Sequence, residues 1–469
     1  MDKIFVVQRS EIEGRLDAQY YNASINIPHS IKLSSFAIVK GGKRIPKGYS
    51  YSDKKTPYHY LRVADMDSDS DINYMDLKCL DKDVYKILEK YEIRELELAI
   101  SIAGTIGKVC VIHEIPLEHK VILTENCAKI LIKRGNSLKI DYLKILFTMP
   151  FIQKQLELNY IQTTIPKLGL DKIQNLKFPP IPSQDFQKQI IQRINSAYSE
   201  KKSKESEAQQ LLDSIDDYLL EELGILLPVY NTNLKKRVFI INKRSIDNRW
   251  DPYYSQDYFR NAFTALESCE YPIVNLKTIT QHITSGITPK SGGNAYTEDR
   301  INGIPFIRSG NISIDGEFNF DDLLYLKPTI HETMMRSSQL KKNDILVAIV
   351  GATIGQVGIY LYDIEANINQ AIALVRLKKG YNAQFIKELL KSRIGQLSLN
   401  RLKRPVARAN INLEEISTIK VIMPPLDKQL EIAKHISGIR KKAKALQEEG
   451  KTILEQAKKT VEQMIMGDA

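Results

Sequence analysis

The sequence predicts an α+β protein: two similar domains of mixed helix and strand joined by two long antiparallel coiled-coil helices, a pseudo-two-fold internal repeat. Three observations carry that reading. The chain repeats itself at an offset of 234 residues or a little more. Each repeat closes on a run of more than thirty residues with heptad-like apolar spacing. The remainder is short Val-, Ile- and Tyr-rich runs broken by Gly, Pro and Asn.

The repeat is plainest near the start of each half. FVVQRSEIEGRLDAQYY (Phe5 to Tyr21) is echoed by FIINKRSIDNRWDPYYS (Phe239 to Ser255), keeping one offset through Phe5/Phe239, Ile12/Ile246, Arg15/Arg249, Asp17/Asp251 and Tyr20/Tyr254. PYHYLRVADM then answers IPFIRSGNI, with Arg62 facing Arg308. AISIAGTIGKVCVI answers DILVAIVGATIGQVGIYLY, with Thr105-Ile-Gly107 on Thr353-Ile-Gly355. Pro182, Gln187, Ile190 and Ile194 recur as Pro424, Gln429, Ile432 and Ile436.

The closing helices follow from spacing. Positions 190, 194, 197, 201, 204, 208, 211, 215, 218 and 222 read Ile, Ile, Ala, Lys, Lys, Ala, Leu, Ile, Tyr and Glu. The same steps from Ile432 read Ile, Ile, Ile, Ala, Leu, Gly, Ile, Ala, Thr and Met. A 3-4 alternation keeps one stripe facing a partner helix. Helices of about 50 Å would overhang a domain of this size, so two matched stripes are expected to bury each other, antiparallel because the chain must leave and return. Gly450 in the second stripe is expected to interrupt that pairing. LGILLPVYNTNLKKR carries a Gly, a Pro and an Asn-Thr-Asn turn signal and reads as a linker. The expected boundaries are a domain over 1–182, a helix over 183–226, a linker over 227–237, a domain over 238–424 and a helix over 425–469. Within the domains, IDYLKILF and NAQFIKELLKS are short helices, and KVCVI and ALVRL are strands.

At 469 residues, 43% apolar and 26% charged, the chain reads as a soluble multidomain protein whose net charge of +11 and pI near 9.1 suggest a polyanionic partner. Cys79, Cys110, Cys127 and Cys269 show no C-x-x-C spacing and read as reduced core residues. The start, MDKIFVVQRS, lacks a basic segment followed by a long apolar one, so a cytoplasmic protein is expected.

Chemical motifs are few. DILVAIVGATIGQVGIYLY, with Gly351, Gly355 and Gly358, admits a membrane helix or a phosphate loop, but its copy places Lys108 where a membrane span needs an apolar residue. Neither copy ends in the Lys-Ser/Thr of a P-loop. Two buried strands around a Thr-Ile-Gly turn fit both copies. No G-x-G exists for a methyl-donor cofactor, and Asp251-Pro-Tyr-Tyr254 becomes Asp17-Ala-Gln-Tyr20 in the other half. A paired-acid nuclease would want a Pro-Asp, which is absent. His113 and His119 beside Glu114 and Glu118 could form a metal cluster, but the intervening Ile-Pro-Leu reads as a solvated turn.

The positive charge is localised. KGGKRIPKGYSYSDKKTPYHYLR places Lys43, Arg44, Lys47 and Arg62 among tyrosines in a loop-like segment, and its counterpart TSGITPKSGGNAY carries Lys290. QLSLNRLKRPVARANINL has Arg401, Lys403, Arg404 and Arg408 and no acid. LNYIQTTIPKLGL, in the matching place, has Gln162, Thr163, Thr164 and Lys167. Long cations neutralise phosphate while Arg, Gln and hydroxyl side chains address base edges. Different side chains at one place suit two readers of different base sequences, and two diverging surface loops would look the same.

Two tandem copies, each with a GTIGKV-type hairpin (Gly104 to Val109; Ala352 to Val357), an Asn-x-Ala step (Asn126 to Ala128; Asn369 to Ala371) and a Pro boundary leading through Gln and Ile into a long helix, resemble the specificity subunits of type I restriction-modification enzymes. The resemblance covers essentially the whole chain. It implies two target recognition domains, each reading one half of a bipartite asymmetric site on double-stranded DNA, with the helices as spacer. It also implies a chain without catalysis, cofactor or metal of its own. Two modification subunits using S-adenosylmethionine, and restriction subunits using ATP and Mg²⁺, would dock on it. Deleting one heptad from both helices should alter the spacer and leave the half-sites readable. A related recognition subunit of a type IIB-like system that cuts beside its site, or a non-catalytic coiled-coil interaction protein with basic domains, stays open from sequence.

Overall fold

The computed structural model describes residues 27–66, 74–159, 166–229, 251–290, 293–404 and 409–467, with a few isolated positions between them. It is α+β and falls into two compact units, Met1–Glu205 with Gln447–Ala469 and Ser206–Leu446.

In the first unit, a four-stranded antiparallel sheet orders Ala37–Gly41, Cys127–Ile132, Leu98–Ser101 and Val109–Val111. A second sheet orders Lys78–Cys79, Tyr58–Leu61, Lys120–Leu123 and Glu92–Ile93, its central pair parallel. A short ribbon joins Ile31–Lys32 to Lys177–Phe178. The second unit repeats the order of the first sheet and three strands of the second, whose parallel pair now lies at an edge. Thr280–Ser285, Ile372–Leu377, Asp344–Ala348 and Val357–Tyr360 form one sheet, and Tyr296–Thr297, Leu324–Leu326, Ile304–Ile307 and Asn367–Ile368 the other. Ile273–Asn275 pairs with Lys420–Ile422.

This layering explains the uninterrupted apolar runs. Successive strand residues point to opposite faces, and both faces of the antiparallel sheet are covered. Leu98 and Ile100 pack with Leu143 and Phe147 of the helix Ile140–Thr148, while Ala99 packs with Leu61 and Val121 of the second sheet. In the second unit Ile345 and Val347 pack with Phe385 and Leu389 of Ala383–Lys391, and Leu346 packs with Ile307 and Ile368. The stretch from Asp344 to Tyr360 is therefore a buried hairpin. Gly107 (φ 86°) and Gly355 (φ 94°) hold the left-handed backbone its turn requires.

The long helices run over Gln184–Glu222 and Leu426–Met466. None of the twenty predicted stripe positions is exposed. Within the first unit Ile190 and Ile194 share a core with Val461, Lys204 pairs with Glu449 at 2.9 Å, and the Lys458 ammonium lies over the Tyr198 ring. Within the second, Ala208 packs with Ala443 and Leu446, Tyr218 stacks on His435 at 4.1 Å, and Glu222 pairs with Lys428. Partner numbers fall as positions rise, so the helices are antiparallel. The expected interruption at Gly450 does not occur: Gly450 is buried against the Lys201 backbone, where an added Cβ would meet the Lys201 Cα and carbonyl oxygen at 3.3 Å.

Each helix is locked to its domain by a buried glutamine. Gln187 accepts from Lys139 N–H and donates to the Ser137 and Pro182 carbonyls; Gln429 accepts from Asn382 N–H and donates to the Pro424 carbonyl. Of the four free cysteines, Cys110 and Cys127 are buried as expected, whereas Cys79 and Cys269 are half-buried. His113 and His119 face different partners, Asp141 and His59. No helix among the described residues is long and apolar enough to cross a membrane.

Candidate nucleic-acid interface

In each unit, one end of the two sheets gathers parts of the segments that sequence singled out. In the first, the end of Ala37–Gly41 passes so close to the second sheet that a Cβ on Gly42 would lie 2.1 Å from the Thr124 carbonyl oxygen; only glycine fits. That approach sets Lys43 beside the strand end, its N–H donating to the Leu123 carbonyl and its own carbonyl accepting from the Tyr60 hydroxyl at 2.8 Å. The same end holds Arg62, just past Tyr58–Leu61, and the Thr-Ile-Gly turn, where Lys108 reaches the Met66 carbonyl. Lys167 sits at an isolated bridge to Ala103 in that turn.

The second unit rebuilds the arrangement with other side chains. Gly286 crosses the Ile368 carbonyl as Gly42 crosses that of Thr124. Arg308 follows Ile304–Ile307 and starts a 3-10 turn whose Asn311 accepts from the Arg308 N–H, the place Asp65 takes after Arg62. Asn410 bridges Val350 beside the turn, matching Lys167 at Ala103. Both loops flanking the turn thus dock on the same sheet end.

The cations divide by what holds them. Lys43, Lys47, Lys167 and Lys290 are exposed, with no ion pair among the described residues. Lys403 is half-buried, also with no ion pair there. The arginines carry intramolecular partners. Arg44 meets Glu125 at 2.5 Å, and their hydrogen bond is the main cause of a raised Arg44 pKa. Burial pushes the Glu125 carboxyl up, but hydrogen bonds from Arg44 and Thr124 outweigh it and its pKa is lowered. Arg62 forms a two-pronged pair with Asp65 at 2.9 and 2.6 Å. Arg308 donates to the Asp322 carboxylate and carbonyl. Arg404 grips Glu415, which caps the helix Leu413–Ser417. Arg401 lies 3.9 Å from the Tyr254 ring centroid and donates to the Tyr254 carbonyl. Gln162, Thr163, Thr164 and Arg408 lie outside the described residues.

The family of the type I restriction modification DNA specificity domain matches residues 29–212 and 302–456, so the match includes the first copy of the sheet end, the second from residue 302 onward, and most of each long helix. The chain belongs to that family. Among relatives of this specificity-domain chain, the specificity subunit of the type I restriction enzyme EcoBI from Escherichia coli is 33% identical over 167 residues, 35% of this chain and 34% of that subunit. The alignment thus spans about a third of the relative's length. Two solved structures are also similar. One, from work on complex assembly and conformational transition of the type I R-M system, is 14% identical, with 95% of this chain and 98% of that chain covered and a TM-score of 0.49. The other, the type I restriction-modification system S subunit from M. genitalium, is 13% identical, with 93% and 97% covered and a TM-score of 0.42.

Sequence reasoning passed over two positions at the specificity domain's sheet end. Lys108 and Gln356 follow the Thr-Ile-Gly turn in the two copies and differ in charge. Aligning the hairpins against each other gives the signal that finds them.

Proposed function

We propose that the chain is the sequence-specific DNA-binding subunit of a type I restriction-modification complex, each domain reading one half of a bipartite asymmetric site. The observation that carries this reading is the duplicated sheet end: one backbone arrangement, presented twice, with different side chains in the flanking loops. A scaffold that stays constant while its loops vary is what two readers of unlike half-sites need.

In this reading the exposed Lys43, Lys47, Lys167 and Lys290, with Lys403, neutralise phosphates. Gln162, Thr163, Thr164 and Arg408 are the candidate base readers, close in sequence to Lys167 and Asn410, which bridge to the sheet end. Arg44, Arg62, Arg308, Arg401 and Arg404 would contact DNA only by sharing or exchanging their present partners. The chain supplies no catalysis. Two modification subunits that bind S-adenosylmethionine, and restriction subunits that use ATP and Mg²⁺, dock on it.

Methylome sequencing of cells carrying the complex tests the proposal. Two unlike half-sites separated by a fixed unread spacer are expected, and exchange of residues 158–170 for the loop of another specificity subunit should change one half-site alone. Methylation at a single continuous motif, or none dependent on this chain, would overturn it.

A further inference from the structure

In the first unit the carboxamide of Gln155 pairs with both backbone groups of one residue. Lys177 N–H donates to Gln155 Oε1 at 2.8 Å, and Gln155 Nε2 donates to the Lys177 carbonyl at 2.8 Å and to the Phe151 carbonyl at 3.2 Å. Lys177 stands opposite Lys32 in its ribbon with both backbone groups turned away from the partner strand, so a side chain satisfies them.

The second unit has the same frame without that side chain. Gln153, which donates to the Gly107 and Phe147 carbonyls, corresponds to Gln396, which donates to those of Gly355 and Leu390. Two residues further on, Gln155 corresponds to Ser398. Lys177 corresponds to Lys420, which stands opposite Asn275 in the equivalent ribbon. Serine is too short to reach the Lys420 peptide. Ser398 is only 4% exposed and its hydroxyl has no hydrogen-bond partner among the described residues. A cavity of about 260 Å³ opens there, lined by Ser398, Lys420, Asn275, Arg401, Tyr254 and Phe263.

We propose that this cavity binds a primary carboxamide, which takes the place filled in the first unit by the Gln155 side chain. A planar amide presents an acceptor and a donor side by side to the Lys420 N–H and carbonyl, gives the Ser398 hydroxyl a partner, and lies beside the stacked Tyr254 and Arg401. A carboxylate of the same shape lacks the donor and would leave the Lys420 carbonyl unpaired, a loss that polar sites penalise heavily. The inference stands on the internal comparison and is independent of the DNA-binding reading.

The amide can come from a free small molecule or from a Gln side chain of a docked protein. Nicotinamide, nicotinate, and the blocked tripeptides Gly-Gln-Gly and Gly-Glu-Gly, each titrated against the full chain by ligand-observed NMR, separate these sources. At least one amide is expected to bind at least about tenfold more tightly than its matched acid. Nicotinamide binding ahead of the peptide assigns the site to a free amide, and the reverse assigns it to a docked side chain. S398Q, which fills the cavity, should abolish binding while S398A, which keeps it open, retains it. Q155S should create a second site and double the stoichiometry. The proposal is overturned if neither amide binds, if acid and amide bind equally, or if S398Q binds as the native chain does.

Discussion

Gly450 lies against Lys201 so closely that a Cβ on the glycine would meet the Lys201 Cα and carbonyl oxygen at 3.3 Å, with the Lys204 Cβ at the same distance. Two backbones meet there without a side chain between them. Gly450→Leu would have to force them apart and should cost about 1–3 kcal/mol, as overpacking does. The measurement is the urea midpoint followed by circular dichroism. An unchanged midpoint would mean the helices do not touch at this level.

Asp344 opens the buried hairpin with its carboxylate almost wholly enclosed, gripped by Arg376 at 2.7 and 2.6 Å and by the Lys341 N–H at 2.7 Å. Asp344→Ala leaves the guanidinium half-buried without its counter-ion, so a loss of about 3–5 kcal/mol is expected. Replacing the pair together, Asp344→Leu with Arg376→Met, should recover most of that in chemical denaturation.

Lys391 has a buried ammonium with no hydrogen-bond partner among the described residues. Burial first, then the neighbouring charges of Arg440 and Lys387, lower its pKa from 10.5 to about 7, against the opposing pull of Glu388 and Asp315. Between about pH 7 and 10.5 the unfolded chain holds this proton and the folded one does not. Stability should therefore rise with pH across that window, by at most about 1.4 kcal/mol per unit. Below pH 7 the full penalty applies. Lys391→Met should stabilise the chain at neutral pH and flatten the slope in that window; a native-like slope in the variant would assign it to other groups.

Lys43 and Lys47 are exposed cations, Lys43 at the sheet end and Lys47 four residues further along the chain. If they neutralise phosphates, K43A with K47A should weaken all DNA sequences alike and lower the slope of log affinity against log salt by about 0.9 per lost contact. Fluorescence anisotropy at several salt concentrations reads this directly. A change confined to the cognate site would make them base readers instead.

The helical stripes were legible because a 3-4 spacing has one geometric solution, and it held even at Lys201, Lys204 and Gly450. Lysine is accommodated by turning its ammonium outward, as Lys204 does towards Glu449. The hairpin was legible because its two copies excluded each other's alternative readings. The binding residues were less so. Arg62, Arg308 and Arg404 look like free cations in sequence, yet each is paired with an acid. The partner of Arg401 lies 147 residues away.

The sequence by itself determined the duplication, the α+β pattern, the two long helices and the places where positive charge gathers, since periodicity and repetition are local properties of a chain. Only the tertiary structure decided which of those charges stay exposed, that Gly450 closes the helix pair, and that Ser398 leaves open what Gln155 fills. Those outcomes depend on which distant groups meet. The same polar side chain reads identically in sequence whether it meets an ion-pair partner, a peptide edge or an empty space.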